Sequence, residues 1–201
     1  MILHNLFPTP VAKFELGREF TTEEMEFCVT QETHKNMGNT TSNDRYVLNH
    51  ETMSGLKDYV QSCIDKYIAS IYAPKNDVKL RITQSWFNYS KPGEWHHKHA
   101  HPNSFISGVL YMKAAKDIDR IYFYNDQYEQ FQIPTDNWNL YNSRSWWLSV
   151  ETGSVMMFPS SLTHSVEPVQ GDDERISLAF NTFPVGYVGQ EENLTALHLR
   201  D

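Results

Sequence analysis

The sequence predicts an α+β fold that is mainly β: an antiparallel barrel or jelly roll with two supporting helices near the N-terminus. Three observations lead to this prediction. Helical periodicity is confined to the first 76 residues, short segments of alternating apolar and polar side chains follow, and turn residues separate those segments. The length of 201 residues is that of one domain. We therefore expect a single domain over 1–201, with a strand and the helices in 1–76 and the β-rich core in 77–184.

The first third of the chain supplies the predicted helices. Residues 6–16 predict a strand that is bent by two prolines. Thr21 and the acids after it offer a capping hydroxyl and negative charge for a helix start, so this pattern predicts a helix from there to about Asn36. A loop rich in Gly, Asn, Ser and Thr is expected over 37–44. Apolar residues then recur every three or four positions over 51–72, which predicts an amphipathic helix packed on the sheet.

The rest of the chain reads as short strands separated by turns. The predicted strands cover residues 80–89, 104–112, 120–124, 146–150, 154–158, 165–169 and 175–183. The stretch 125–145 has few alternating apolar positions and many amides, so it predicts a long connection. Connections of that length in a compact domain are often lids over a binding site.

Composition excludes some classes of function. A net charge of −8 and a pI near 5.5 make nucleic-acid binding an unfavoured prediction, because such binders usually present a basic face. No apolar run approaches the roughly 20 residues that span a bilayer, and the first ten residues lack the pattern of a signal peptide. We therefore expect a cytoplasmic protein with no membrane contact. Cys28 and Cys63 lie in helix-like, half-apolar segments, which favours buried free thiols over a disulfide.

Histidines form the most informative motif of the chain. Four of the nine histidines fall within six residues, and His97, His99 and His101 would project to one face of an extended strand. His164 follows a later turn. Neutral imidazoles are common ligands for first-row transition metals, and a mononuclear catalytic site takes three protein ligands. We expect a metal site formed by His99, His101 and His164, with His97 as the competitor for the place of His101.

Arg175 is the second candidate for a functional side chain. Residues 174–181 alternate polar and apolar, so Arg175, Ser177 and Asn181 share one face of a predicted strand. An arginine turned into a barrel is costly unless it is paired. No acid lies on the same strand face, so a carboxylate from outside is its expected partner, held bidentately with help from the Ser177 hydroxyl. The alternative is a salt bridge to an acid elsewhere in the chain, such as Glu167.

Several motifs in this order resemble the 2-oxoglutarate- and Fe(II)-dependent oxygenases, and most of all a small branch found in phages and bacteria. The motifs are His-Ala-His-Pro-Asn-Ser at 99–104 with Ser-Gly-Val-Leu-Tyr-Met at 107–112, Gly-Ser-Val-Met-Met-Phe-Pro-Ser at 153–160 with Leu162 and His164, and Arg-Ile-Ser at 175–177 with Asn181. The resemblance implies a double-stranded β-helix, the cupin-like form of the jelly roll. It also implies Fe(II) and 2-oxoglutarate as cofactor and co-substrate, in the host cytoplasm if the protein is phage-encoded.

The resemblance assigns roles to residues of this chain. It implies that His99, His101 and His164 bind Fe(II), that Arg175 and Ser177 hold the distal carboxylate of 2-oxoglutarate, and that Asn88 touches the 2-oxo acid. The implied reaction consumes O2 and 2-oxoglutarate, releases succinate and CO2, and hydroxylates a prime substrate that the sequence does not identify. Tyr111 and Asn181 are further candidates for the pocket wall. The exposed edges of an open jelly roll are compatible with a homodimer.

One departure from the family pattern concerns charge. Most of the superfamily has Asp or Glu where this chain has His101. A carboxylate would leave the Fe(II) site at a charge of +1, whereas three imidazoles leave +2, and zinc or nickel become more credible occupants. Two alternatives therefore stay open: a three-histidine cupin-type metalloenzyme that does not use 2-oxoglutarate, and a non-catalytic module stabilised by a metal.

Overall fold

The computed structural model describes residues 1–127 and 131–200. Two α-helices, α1 (Thr22–Val29) and α2 (Ser54–Ile71), precede most of the strands. The strands of the described part are β1 (Ala12–Glu15), β2 (Thr33–Lys35), β3 (Thr40–Ser42), β4 (Lys79–Ser90), β5 (His96–His99), β6 (Ile106–Lys113), β7 (Arg120–Tyr124), β8 (Ser145–Ser149), β9 (Ser154–Pro159), β10 (His164–Val166), β11 (Arg175–Val188) and β12 (Leu197–Leu199).

The strands form two antiparallel sheets. The larger sheet has the order β1-β9-β6-β11-β4-β3-β2, with β12 added to the far end of β11. The smaller sheet has the order β5-β10-β7-β8. Side chains from both sheets meet in an apolar cluster and around a narrow cavity, so the sheets lie face to face. The predicted class, a mainly β jelly roll with two N-terminal helices, is confirmed.

Strands β6 and β9 of the larger sheet contribute to two apolar cores, because successive side chains point to opposite faces. On β9, Val155 and Met157 belong to the core beneath the helices, whereas Met156 and Phe158 belong to the core between the sheets. The helix-side core is the larger one and also contains the buried face of α2. The other face of the sheet is therefore free to carry the polar side chains of a site.

The two helices begin for different local reasons. Thr21 caps α1 in a capping box: its hydroxyl accepts from the Glu24 backbone N–H at 3.2 Å, and its own N–H donates to Glu24 Oε2 at 2.9 Å. Arg18 donates to the same carboxylate at 2.6 Å. Helix α2 begins at Ser54, directly after a 3-10 turn over Glu51–Met53, which is the start that the sequence predicted near residue 51.

The structure differs from the sequence prediction at the end of α1, in the loop expected over 37–44 and at the end of the strand expected over 175–183. Helix α1 ends at Val29 and not near Asn36, because the chain turns to form β2 and β3 at the edge of the larger sheet. The polar side chains of β3 favour this edge: Thr41 donates its hydroxyl to the Phe87 carbonyl oxygen at 2.9 Å. Strand β11 also continues past its predicted end at residue 183 to Val188, where β12 pairs with it.

Other predictions are confirmed or lie partly outside the described residues. Both cysteines are buried free thiols. Within the connection predicted over 125–145, the described residues up to Arg144 contain neither helix nor strand, and residues 128–130 lie outside the described part. No helix in the described ranges is long and apolar enough to cross a membrane.

Candidate metal centre

A narrow cavity between the two sheets gathers most of the polar residues singled out in the sequence. Its walls come from β4, β6 and β11 on one side and from β5, β7 and β10 on the other. The lining residues are Trp86, Asn88, Ser90, His96, His99, His101, Val109, Tyr111, Ile121, His164, Val166, Arg175, Ser177 and Ala179. The cavity volume is about 40 Å³.

A larger groove of about 750 Å³ lies elsewhere, between α2 and the start of β4, among Asp65, Lys79 and Arg81. Volume favours this groove as a ligand site. Chemistry favours the smaller cavity, because the clustered histidines, which are the potential metal ligands of the described chain, lie at its wall.

The pairing of β5 with β10 places two of the histidines opposite each other. His99 pairs with His164 across the two strands, and His96 pairs with Val166 after a shift in register. Two residues of β5 thus oppose one residue of β10, as in a β-bulge. The bulge turns both His96 and His99 toward the cavity, while His97 is not among the lining residues. Simple alternation predicted that His97 and not His96 would share the cavity face with His99, and the bulge reverses this for the cavity wall.

His101 reaches the site from a turn and not from the strand. It lies beyond the end of β5, and its backbone N–H donates to the Ser160 carbonyl oxygen at 2.9 Å. The Ser160 N–H in turn donates to the Phe105 carbonyl oxygen at 3.1 Å. Ser160 belongs to the turn that leads into His164, so the same backbone segment positions two of the predicted ligands.

The geometry of His99, His101 and His164 suits a metal ion. Their potential ligand nitrogens lie within 4.8 Å of one another, and Nε2 of His101 is 3.3 Å from Nε2 of His164. Metal–nitrogen bonds of 2.0–2.1 Å place neighbouring ligand nitrogens roughly 3.0–3.4 Å apart. The structure therefore brings together the three residues that the sequence predicted as ligands, and one pair of their nitrogens lies at a separation that a shared metal ion would give.

Backbone carbonyls fix the orientation of two of these rings. Nδ1 of His99 lies 2.7 Å from the His97 carbonyl oxygen, and Nδ1 of His164 lies 3.0 Å from the Leu162 carbonyl oxygen. A carbonyl oxygen only accepts, so each Nδ1 carries the proton and each Nε2 presents a lone pair. Such outer contacts are typical of metal-ligating histidines.

Burial keeps these imidazoles neutral. Removal from water, followed by the neighbouring imidazole of His99, lowers the pKa of His164 to about 3. The same two causes lower the pKa of His101 to about 4. Burial also lowers the pKa of His99. Neutral imidazole is the form that binds metal, so the site is ready for a cation at neutral pH.

A second histidine group overlaps the first. His96, His97 and His99 also bring their ligand nitrogens within 4.8 Å of one another, and the His96 and His99 rings stack at 4.7 Å. Nδ1 of His97 is buried without a hydrogen-bond partner. His97 thus groups with His96 on the β5 side, whereas His101 lies against His164. His96 was not singled out in the sequence, because simple alternation placed it on the opposite face.

Arg175, Ser177 and Asn88 line the same cavity as the histidines. Ser177 pairs directly with Asn88 across β11 and β4, and the Oδ1 atom of Asn88 is buried without a partner. The Tyr111 hydroxyl is likewise buried and unpartnered, and burial raises the pKa of Tyr111 above its ordinary value. Buried polar atoms of this kind point to a missing hydrogen-bonding ligand. Asn181 is not part of this wall, since its side chain accepts from Ser107 at 2.8 Å.

Arg175 has an internal partner that the sequence did not reveal. Its Nη1 donates to Asp119 Oδ1 at 2.8 Å, and both side chains are about 95 % buried, with exposed fractions of 6 % and 5 %. Its contact with Glu167 is a long one of 3.4 Å to the backbone carbonyl oxygen. An ion pair within the chain, the alternative to an outside carboxylate, is thus present, but the acid is Asp119 and not Glu167.

The sequence of this region matches a known family. Residues 84–181 match the model of the family described as "Putative 2OG-Fe(II) oxygenase". This segment runs from β4 to the cavity-lining part of β11 and contains all the predicted site residues. A comparison with curated proteins gives no match.

Solved structures share the fold at low sequence identity. An oxidoreductase of the 2OG-Fe(II) oxygenase family from Burkholderia pseudomallei is 12% identical, with a TM-score of 0.59 over 86% of this chain and 83% of its own. HygX from Streptomyces hygroscopicus, crystallised with nickel and 2-oxoglutarate, is 10% identical, with a TM-score of 0.59 over 96% of this chain and 92% of its own. A prolyl-4-hydroxylase from Pseudomonas putida is 13% identical, with a TM-score of 0.53 over 87% and 92%. The family model covers the strands that build the cavity, so residues 84–181 of this chain are similar to the 2OG-Fe(II) oxygenase family.

Proposed function

We propose that this chain is a 2-oxoglutarate- and Fe(II)-dependent oxygenase. The observation that carries the proposal is the convergence of His99, His101 and His164 with Arg175 and Ser177 in one cavity between the sheets. The family match over residues 84–181 supports the same activity. HygX, a structural neighbour with this fold, was crystallised with 2-oxoglutarate and nickel.

The residues of the cavity divide into two groups by their chemistry. The Nε2 atoms of the three histidines would hold Fe(II), which supplies activation of O2 coupled to oxidative decarboxylation of the co-substrate to succinate and CO2. At the other end, Arg175 and the Ser177 hydroxyl would donate to the distal carboxylate of 2-oxoglutarate. Asn88 pairs with Ser177 on the neighbouring strand, and its unpartnered side chain would touch the 2-oxo acid.

The prime substrate would be hydroxylated beside the metal. Burial of the site keeps bulk water away from the reacting atoms, which is the contribution expected of the protein in cofactor chemistry. We propose that the whole chain acts as one domain, because β1, β2 and β3 of the N-terminal segment complete the same sheet that carries Arg175. A cytoplasmic location is part of the proposal.

The test is anaerobic visible absorption of the metal-free protein, titrated first with Fe(II) and then with 2-oxoglutarate. We expect a weak charge-transfer band that needs both additions and that weakens in Arg175→Ala. Lys113→Ala is the matched control, since Lys113 is an exposed cation at the end of the adjacent strand β6 and pairs with Asp173 at 2.8 Å. Its band should equal that of the unmodified protein.

The other outcomes separate the alternatives. Iron binding without a band would overturn the use of 2-oxoglutarate and favour a three-histidine cupin-type metalloenzyme. A protein that binds zinc but no Fe(II), with a lower melting temperature after chelation, would favour a metal-stabilised module without turnover.

A further inference from the structure

The Arg175–Asp119 ion pair is built into the wall of the cavity. One oxygen of the Asp119 carboxylate accepts from Arg175 Nη1 at 2.8 Å, and the other accepts from the Ala115 backbone N–H at 2.8 Å. The Asp119 carbonyl oxygen also accepts from the Val150 N–H at 3.1 Å. Backbone contacts from two segments therefore fix this carboxylate behind the guanidinium.

The pair determines the net charge of the cavity. Among the lining residues of the described chain, Arg175 is the one with a permanent charge, and the adjoining Asp119 offsets it. An imidazole that coordinates a metal ion through a nitrogen lone pair is neutral. The protein thus contributes a charge of zero, and a divalent cation bound to three histidines would bring the total to +2. This total matches a dianion such as 2-oxoglutarate.

We infer that Asp119 supplies, beside Arg175, the negative charge that a three-histidine metal site lacks. A ligand set with one carboxylate would have the same total of +2, but with the negative charge at the metal and an uncompensated arginine at the far end. In this chain the carboxylate is at the arginine end. The inference rests on the proposed function, because it assigns Asp119 a positioning role toward the distal carboxylate of the 2-oxo acid.

The placement of this charge has a consequence for recognition. The metal end of the cavity attracts the anion, whereas the arginine end has no net charge and recognises the distal carboxylate through directed N–H and O–H donors. Loss of Arg175 alone would leave the buried Asp119 carboxylate unpaired and facing the incoming carboxylate, with like charges in a medium of low dielectric constant. Loss of both groups would remove this repulsion.

The experiment measures dissociation constants by anaerobic calorimetry on Ni²⁺-loaded protein. The ligands are 2-oxoglutarate and 2-oxopentanoate, which has the same chain length but no distal carboxylate. We expect Arg175→Gln to weaken 2-oxoglutarate binding about 100-fold and Asp119→Asn in the same chain to restore it about tenfold, the size of effects reported for buried charges. Binding of 2-oxopentanoate should change less than about threefold, because it does not meet either charge.

A second comparison does not depend on Arg175→Gln folding well. Asp119→Asn alone keeps an oxygen that accepts from Arg175 but removes the negative charge, so we expect the preference for 2-oxoglutarate over 2-oxopentanoate to rise about tenfold. Asp119→Glu, which keeps the charge, should leave that preference within about threefold of the unmodified protein. Circular dichroism and melting temperature establish that each variant is folded.

The results separate this inference from the proposed function. Selective binding of 2-oxoglutarate by the unmodified protein, with no recovery in the double variant and no change of preference in Asp119→Asn, would overturn the role of Asp119 alone. If the Ni²⁺-loaded protein binds neither acid, the proposed function fails and this inference fails with it.

Discussion

The two faces of the larger sheet differ in chemistry although neighbouring residues of the same strands build them. On β11, Leu178 lies in the apolar core beneath the helices, while Ser177 lines the histidine cavity. On β4, Phe87 and Asn88 divide in the same way. One step along a strand therefore separates a side chain that stabilises the fold from one that is available for binding.

This difference means that stability and chemistry can be altered separately. Full burial of a large apolar side chain contributes about 1.5–3 kcal/mol, and the helix-side core holds many of them. The cavity face instead buries polar groups, and those of Asn88 and Tyr111 lack partners, which costs stability unless a ligand satisfies them. The helix side should therefore determine the free energy of unfolding, and the cavity side should determine metal and ligand affinity.

The largest effect is expected from Leu178→Ala. Leu178 is fully buried, and its truncation should lower the free energy of unfolding by about 2–5 kcal/mol. Its neighbour Ser177→Ala is the matched variant and should cost less than about 1 kcal/mol. Urea denaturation measures both, and metal affinity of the folded protein should be unchanged in Leu178→Ala. Equal destabilisation by the two substitutions would contradict the division between the faces.

A smaller effect is expected from metal on the cavity side. Ni²⁺ at about 100 times its dissociation constant should raise the free energy of unfolding by about 2.7 kcal/mol, because only the folded state offers the site. His164→Gln should abolish this gain. His198→Gln, a change on the exposed side of β12, should keep it. Thermal denaturation with and without Ni²⁺ measures this stabilisation in each variant. Equal stabilisation of His164→Gln and His198→Gln by Ni²⁺ would mean that the metal binds at another site.

The smallest effect concerns Glu24 on the helix side. Burial raises the pKa of this carboxyl, but the hydrogen bonds from Arg18 and Thr21 outweigh it, so the pKa is lowered from its ordinary 4.5. A lowered pKa in the folded state stabilises the protein above pH 4.5, and this stabilisation is lost as the pH falls through the folded value. Glu24→Gln should cost about 1–2 kcal/mol at pH 7.

Urea denaturation at pH 7 and again below pH 4 measures this difference. The difference in the free energy of unfolding between Glu24→Gln and the unmodified protein should be smaller at the lower pH. Glu26→Gln, an exposed carboxylate on the same helix, is the control and should differ little at either pH. A gap that stays constant with pH would mean that the Glu24 side chain acts by packing and not by charge.

Periodicity in the sequence predicted the parts of the molecule that depend on local pattern. The alternation along 175–179 predicted that Arg175 and Ser177 share a face, and the spacing over 51–72 predicted α2. Contacts between distant segments were not predictable in this way. Asp119 is 56 positions from Arg175, and nothing in its local sequence marks it as the partner.

Local irregularity explains the remaining differences. The register shift between β5 and β10 turned His96 toward the cavity, and it depends on the pairing partner and not on the sequence of β5 alone. Similarly, the Thr- and Ser-rich residues 40–42 form a strand because β4 accepts and donates the hydrogen bonds that their side chains need. A composition rich in Gly, Asn, Ser and Thr predicts a loop correctly only where no neighbouring strand offers such hydrogen-bond partners.

The long separation of the histidines in the chain has a consequence for the order of folding events. His101 and His164 are 63 positions apart, and β6 to β9 fold between them. Bringing His164 to the other two ligands requires closure of that segment, which is entropically costly, so the three-histidine site is complete only after the sheets have docked. A metal ion that needs all three ligands therefore binds late in folding, unlike the metal of a domain whose ligands are all close in sequence. In refolding kinetics, metal binding to the three histidines would therefore report that the two sheets have reached their native arrangement.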